Sequence, residues 1–270
     1  MRRPAPATVR WLILAALLVF WELMPRTQII PELFLPSLSK TVAVLIRDWH
    51  EYVSELAVTL YEVAFAMLIA CGAGILAGAL VGGVALLRSL LLPVFSSMYA
   101  VPIVILYPIF TAWFGIGSES KILFAGVYGF FPVMLSTAAG IRTIDAHLLL
   151  AARSMGATVP QQITRVVIPA SIPTVLTGLR LGGALTIIGV VVSEMLTSAA
   201  GIGYLVTRYR TILDSPHVFG AIVMILLLSI LFDTFARAIE RRTMVWQTAG
   251  RRQREGEMTE PIARTAPVPV

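Results

Sequence analysis

Charge and cysteine are what this sequence has least of. Aspartate, glutamate, lysine and arginine make up only 13% of 270 residues, about half the share found in soluble domains. With 57% hydrophobic residues and a mean hydropathy of +0.85, that deficit excludes an ordinary soluble globule and predicts a polytopic membrane protein. The single cysteine, Cys71, lies inside an apolar run; it closes no internal disulfide and reads as a buried thiol. Three histidines without a cysteine cluster give no metal-ligating spacing. No G-x-x-x-x-G-K-[ST] occurs, so the chain has no P-loop of its own for ATP. The net charge of +6 does not point to nucleic acid, because the basic residues gather at the ends of apolar runs and in the tail.

What is there is apolar and interrupted at regular intervals. At about 20 residues per helical span, 270 residues leave room for about five to seven spans. Residues 1–10 are basic, with Arg2, Arg3 and Arg10, and Trp11–Met24 is apolar. A signal peptide has the same charged start, but Trp21-Glu22-Leu23-Met24-Pro25 is too bulky for a cleavage site, so a retained first span is expected. From Ser39 an amphipathic helix is expected, with Val42, Leu45, Ile46 and Trp49 on one face, lying along the membrane surface. The second span is expected over Leu56–Leu87, where Gly74, Gly78 and Gly82 recur every four residues and form a small face for close helix packing.

The third run, Leu90–Phe114, is broken by Pro93, Pro102 and Pro108, as in helices that line a pathway. An external loop is expected over Trp113–Ile122, a fourth span over Ile122–Gly140, a fifth over Ser171–Leu196 and a sixth over Val218–Ala238. Within the fifth, Arg180 snorkels towards one face. Glu194 stands near the far end, about 21 Å along at 1.5 Å per residue. An ionisable group inside a span is a functional candidate by default; the structural alternative is a carboxylate bonded to the Gly201-Ile202-Gly203 turn. Asp233 and Arg237, spaced i, i+4, read as a pair across one turn. From residue 247 the chain is polar, proline-bearing and without periodicity, and reads as a disordered tail.

One polar island, Arg142–Pro169, interrupts the apolar pattern most strongly. Asp145 is placed to N-cap a short helix, and Gly156 to end it. Thr158 stands three residues before Gln161 with Pro160 between, a capping box with proline in the first turn. The island therefore reads as a helix–turn–helix outside the hydrocarbon, with Arg142, Asp145, Arg153, Gln161, Gln162 and Arg165 turned to water.

The island resembles the EAA loop of ATP-binding-cassette importer permeases, whose pattern is Glu-Ala-Ala, three residues, Gly, nine residues, then Ile-x-Leu-Pro. Ala151, Ala152, Gly156 and Pro169 fall at those spacings, with Val166 and Ile168 as aliphatic stand-ins; Leu150 departs from the pattern in the Glu position. The Leu35-Pro36-Ser37 start and Gly178-Leu179-Arg180 are also similar to this family. Trp113–Ile122 (WFGIGSESKI) and Phe130–Pro132 resemble its sulfonate, taurine and nitrate subgroup.

The resemblance implies an all-α polytopic bundle of about six spans, running over 11–246. Its coupling loop would use Leu150, Ala151, Ala152, Arg153, Gly156 and Pro169 to dock on a cytoplasmic ATPase, with Arg180 and Glu194 as gate or pathway residues. It implies two ATPase copies that bind the ATP-Mg, a second permease copy, a periplasmic solute-binding protein and no cofactor in this chain. It also implies a bacterial inner-membrane location for a small, anionic solute. Placing both termini in the cytoplasm leaves outside only Arg26, Lys40, Arg47, Lys121, Arg208 and Arg210, as the positive-inside rule favours. An intramembrane enzyme fits poorly, since no nucleophile–base or acid pair converges within a span. A secondary transporter without an ATPase is the remaining alternative.

Overall fold

The structure is a computed structural model that describes residues 6–258, with side chains over 8–243. Every regular element among the described residues is helical. Five helices are long and apolar enough to cross a membrane: α1 (Pro6–Arg26), α3 (Trp49–Gly83), α6 (Ser118–Arg142), the continuous helix of Val159–Leu196, and α11 (Ser215–Met258). A sixth crossing is broken. It consists of α4 (Ala85–Tyr99), a 3-10 turn at Ile103–Leu106 and α5 (Tyr107–Phe114), bent by 86°. Pro102 and Pro108 stand on either side of that turn, where a missing N–H and a fixed φ disfavour a continuous helix.

The core is a three-helix interlock. Residues Gly74 and Gly78 of α3 meet Val133 and Thr137 of α6, so the two run parallel; Gly178 and Gly182 of the Val159–Leu196 helix meet Ser136 and Gly129, so that pair is antiparallel. A Cβ on Gly78 would lie 2.5 Å from the Met134 carbonyl oxygen and 2.6 Å from Thr137 Cβ, closer than real atoms approach. Lipid tails are as apolar as side chains, so helices in a membrane associate through this kind of close van der Waals fit. The glycine stripe expected on the second span is thus a packing face. Around it lie Val63, Ala66, Ala125, Ile187 and Val190 in one cluster, and Val81, Met134 and Ala138 in another.

The remaining helices are short. The amphipathic helix expected from Ser39 is α2 (Leu38–Arg47), capped by the Ser37 side chain; Trp49, expected on its apolar face, instead opens α3. On the face where α3 begins, α10 (Ile202–Thr211) buries Ile202, Leu205, Val206 and Tyr209 against Tyr52 and Ala221. At the opposite face, α7 (Ala146–Ser154) and α8 (Val159–Gln162) form the loop.

Three expectations need correction. The second span begins at Trp49, not Leu56, because the helix runs on past the apolar stretch through Glu51 and Glu55. The loop expected over Trp113–Ile122 shrinks to Gly115–Gly117; Ser118 and Glu119 open α6, where an acidic first turn suits the helix dipole. Helix also continues to Met258, through the first part of the tail begun at 247, where Arg, Gln and Glu are good helix formers; the rest of that tail, 259–270, and the basic start at 1–5 lie outside the described residues.

The interlock makes a direct prediction. Gly78→Ala is expected to destabilise the purified protein by about 1–3 kcal/mol through overpacking against a backbone carbonyl. Gly72→Ala, with nothing within 4 Å of its Cβ position, should leave the melting temperature unchanged or raise it; thermal unfolding in one detergent compares the two.

Candidate functional site

The loop is built from local capping chemistry, and the residues expected to shape it do so. Asp145 accepts a 2.9 Å hydrogen bond from the His147 amide and starts α7. Gly156 ends it at φ 76°, in the left-handed region where a side chain is strained. Two bonds close this end: the Gly156 amide donates to the Arg153 carbonyl at 2.9 Å, and the Ala157 amide to the Ala152 carbonyl at 3.0 Å. That is a Schellman closure. The Thr158 amide then donates to Gln161 Oε1 at 2.8 Å in a capping box that opens α8. Arg153 Nε donates to Gln162 Oε1 across the turn at 3.3 Å.

The surface of the loop is more apolar than its sequence suggests. Leu150 (61% exposed), Met155 (82%) and Val159 (66%) project from its tip. Ala151 is exposed but Ala152 is buried, so only the first alanine of the pair lies on the outer side. Nor is the loop a self-contained helix–turn–helix. Past α8 a π-helical turn at Ile163–Val167, closed by the Ile168 amide on the Ile163 carbonyl, leads straight into α9 (Ile168–Leu196), with exposed Pro169, which has no N–H to donate, directly after that irregular turn. One helix of 38 residues therefore joins the loop to the opposite face.

Arg180 lies midway along that helix and Glu194 near its far end, and the two are not brought together. Arg180 Nη1 donates to Glu240 Oε2 at 3.0 Å, and its Nε lies 3.9 Å from Asp233, which also pairs with Arg237 as expected. These contacts tie α9 to α11 beside a groove of about 620 Å³. Its apolar wall includes Leu181, Ile188, Leu226 and Ile230.

Glu194, 1% exposed, takes the structural role raised for it. Its Oε1 accepts from the Thr59 hydroxyl at 2.8 Å and its Oε2 from the Gly203 amide at 2.7 Å. The Thr59 oxygen accepts from the Ile202 amide at 2.9 Å, and Glu55 accepts from the Gly201 amide at 2.6 Å. Three side chains from other helices thus cap the amides that α10 leaves unpaired at its start.

The sequence reading passes over the residue beside them. Glu62, fully buried in α3, forms an ion pair with Lys121 Nζ at 2.6 Å and accepts from the Ser118 hydroxyl at 2.8 Å. Lys121, 4% exposed rather than in an external loop, also donates to Ser198 Oγ at 2.9 Å. A carboxylate inside an apolar run was the signal for Glu62; nothing local announces its partner. The three histidines, His50, His147 and His217, stand in the first turns of α3, α7 and α11.

Two outcomes follow for this cluster. Glu194→Ala leaves the buried Gly203 amide without an acceptor and should cost about 1–3 kcal/mol, while Glu194→Gln keeps that acceptor and lets the Thr59 hydroxyl turn to the Glu55 carbonyl, for a smaller loss in thermal unfolding. Lys121→Met strands a buried carboxylate and should cost about 3–5 kcal/mol; adding Glu62→Gln should recover much of it, and a double-mutant cycle measures the recovery.

The chain is similar to known permeases over most of its length. SsuC of Bacillus subtilis, named for aliphatic sulfonates transport, is 30% identical over 241 residues, covering 88% of this chain and 87% of its own. TauC of Escherichia coli, a taurine transport system permease, is 30% identical over 244 residues, covering 86% and 87%. ThiX of Halalkalibacterium halodurans, a formylaminopyrimidine transport permease, is 30% identical over 247 residues, covering 92% and 99%. Among solved structures, the fold matches an amino acid ABC transporter with a TM-score of 0.62 at 16% identity, covering 74% of this chain and 97% of that one. The MetNI methionine transporter matches with 0.57 at 20% identity, covering 74% and 96%. Residues 70–245, which include the loop, α9 and the Glu62-facing end of α6, match the model of the binding-protein-dependent transport system inner membrane component, and the chain belongs to that family, one of transport permeases rather than enzymes.

Proposed function

We propose that the chain is the membrane-spanning subunit of an ATP-binding-cassette importer. The solute is small and anionic, a sulfonate, taurine, nitrate or a related compound, in keeping with the names of SsuC and TauC. A periplasmic binding protein delivers it. Two permease copies enclose the path, and two cytoplasmic ATPase subunits bind ATP-Mg and drive the cycle. Both termini and the loop lie in the cytoplasm of a bacterial inner membrane; the arginine distribution supports that orientation.

The observation that carries this reading is the loop's geometry. A rigidly capped turn presents Leu150, Ala151, Met155 and Val159 to solvent at one face and continues as one helix to Glu194 at the other. Force applied at the loop by an ATPase is thereby delivered to the far side without passing through a flexible joint other than the π-helical turn. Arg153 and Gly156 hold the turn's angle, Leu150 adds apolar contact where the family pattern has an acid, and Arg180 braces α9 on α11. Glu194 then acts on the path by fixing α10, not by touching solute.

Gly156→Val tests the reading. The substitution forces a β-branched side chain into the left-handed region, at about 1 kcal/mol or more, yet its Cβ meets nothing within 4 Å, so insertion should survive. Normal membrane levels are expected, with loss of ATPase co-purification and at least tenfold slower uptake. Wild-type values for both on the same membranes would remove the coupling role. In proteoliposomes, uptake driven by an ion gradient without the ATPase would favour a secondary transporter instead.

A further inference from the structure

The face opposite the loop carries a titratable cluster that transport coupling leaves unused. Its centre is His217, in the first turn of α11 and 7% exposed. Nε2 of the ring lies 3.0 Å from Asp48 Oδ2, and Nδ1 lies 2.8 Å from Asp214 Oδ2. The ring stacks on Tyr209 of α10 with centroids 4.2 Å apart and planes at 20°. From α3, the Tyr52 hydroxyl donates to the His217 carbonyl at 3.0 Å.

The backbone places these groups deliberately. Asp48 is the joint between α2 and α3. Asp214 follows a closure of α10 in which Leu213 sits at φ 60°. There the Asp214 amide donates to the Tyr209 carbonyl at 2.9 Å, the pattern normally reserved for glycine or asparagine. Keeping leucine in that conformation has a cost that the neighbouring contacts must offset. His217 therefore touches two corners of the molecule at once, α2–α3 through Asp48 and α10–α11 through Asp214.

Protonation decides whether both contacts are favourable. A neutral imidazole has one N–H and one lone pair, whereas the imidazolium has two N–H groups. With a carboxylate at each nitrogen, the neutral ring turns a lone pair towards one of them. The Nδ1 contact is off the line of a hydrogen bond, so it is Coulombic, and it depends on ring charge all the more.

The surroundings carry the same message. Among the described residues, Asp48, Asp214 and Glu51 form ion pairs with two guanidinium groups: Arg47 pairs with Asp48 at 2.9 Å and Arg208 with Glu51 at 2.6 Å, while Asp214 pairs with the ring itself. Three carboxylates against two cations leave one negative charge for the ring to neutralise. Arg47 first, then His217, hold the Asp48 carboxyl below its usual range, so this partner stays ionised through mildly acidic pH.

We propose that His217 is a proton-operated clip, whose imidazolium fastens the α2–α3 corner to the α10–α11 corner and whose deprotonation loosens that tie. The sign follows from which form makes both contacts: the clip is present when the ring is charged and is lost when the ring gives up its proton.

The full-length protein in nanodiscs tests this with two readings at pH 5.5 and pH 8.5, thermal unfolding and amide hydrogen exchange over 212–220. The wild type should melt on the order of 2–4 °C lower at the alkaline pH, relative to His217→Gln measured in the same way, and its 212–220 amides should lose protection there. His217→Gln should be insensitive over this window, and His217→Lys, which keeps its charge, should hold the tie at both values. A pH slope in His217→Gln equal to that of the wild type would assign the effect to another titratable group and overturn the clip, as would a wild type with no slope. Should His217→Gln fail to fold, Asp48→Asn and Asp214→Asn replace it: each must reduce the slope, and a full slope in both sinks the proposal.

Discussion

The fold depends on how closely three helices approach one another in a medium that gives them no hydrophobic reason to do so. α6 lies between α3 and α9, and at the contacts the side chains are reduced to hydrogen. A Cβ on Gly129 would fall 2.1 Å from the Thr186 hydroxyl, and one on Gly182 would fall 2.4 Å from Val133. That proximity lets dispersion and backbone contacts replace the hydrophobic effect. It also fixes which residues share a level in the membrane. Because α3 and α6 are parallel, Glu62 and Lys121 arrive at one face together; because α9 is antiparallel, Glu194 arrives at the same face.

With the levels set, the polar groups are disposed to satisfy helix ends. Glu55, Thr59 and Glu194 take up the first amides of α10. Glu22 of α1 does the same for α2, accepting from the Ser39 amide at 2.9 Å. In each case the capping group comes from a different helix, so local order and tertiary packing are formed by one hydrogen bond. Buried charge is tolerable here because almost every oxygen has a donor; the exception is Glu62 Oε2, whose partner oxygen carries both Lys121 and Ser118.

The two faces differ in what holds them. The loop face relies on contacts within a few residues: Asp145 to His147, Gly156 to Arg153, Thr158 to Gln161. The opposite face relies on contacts between distant elements: Thr59 to Glu194, Lys121 to Glu62, Asp48 to His217. A helix that spans both, with a π-helical turn near the loop, links a locally rigid end to one whose order depends on packing.

By itself the sequence determined everything that a few neighbouring residues can encode. Its apolar runs place the crossings, Pro102 and Pro108 (though not Pro93, which α4 carries within it) break the third, Gly74, Gly78 and Gly82 mark a packing face, and Asp145, Gly156, Thr158 and Gln161 write out the loop's turns. These are legible because a cap or a helical face is decided within one or two turns of chain. Tertiary structure decided the rest: that Lys121 is buried against Glu62, that Ala152 turns inward, that Arg180 finds Glu240, and that Glu194 caps α10. It also decided that the loop's second helix is the beginning of a span. The reason is physical: an ion pair or a cap across helices depends on their separation and relative direction, and these follow from the glycine interlock as a whole, not from spacing along the chain.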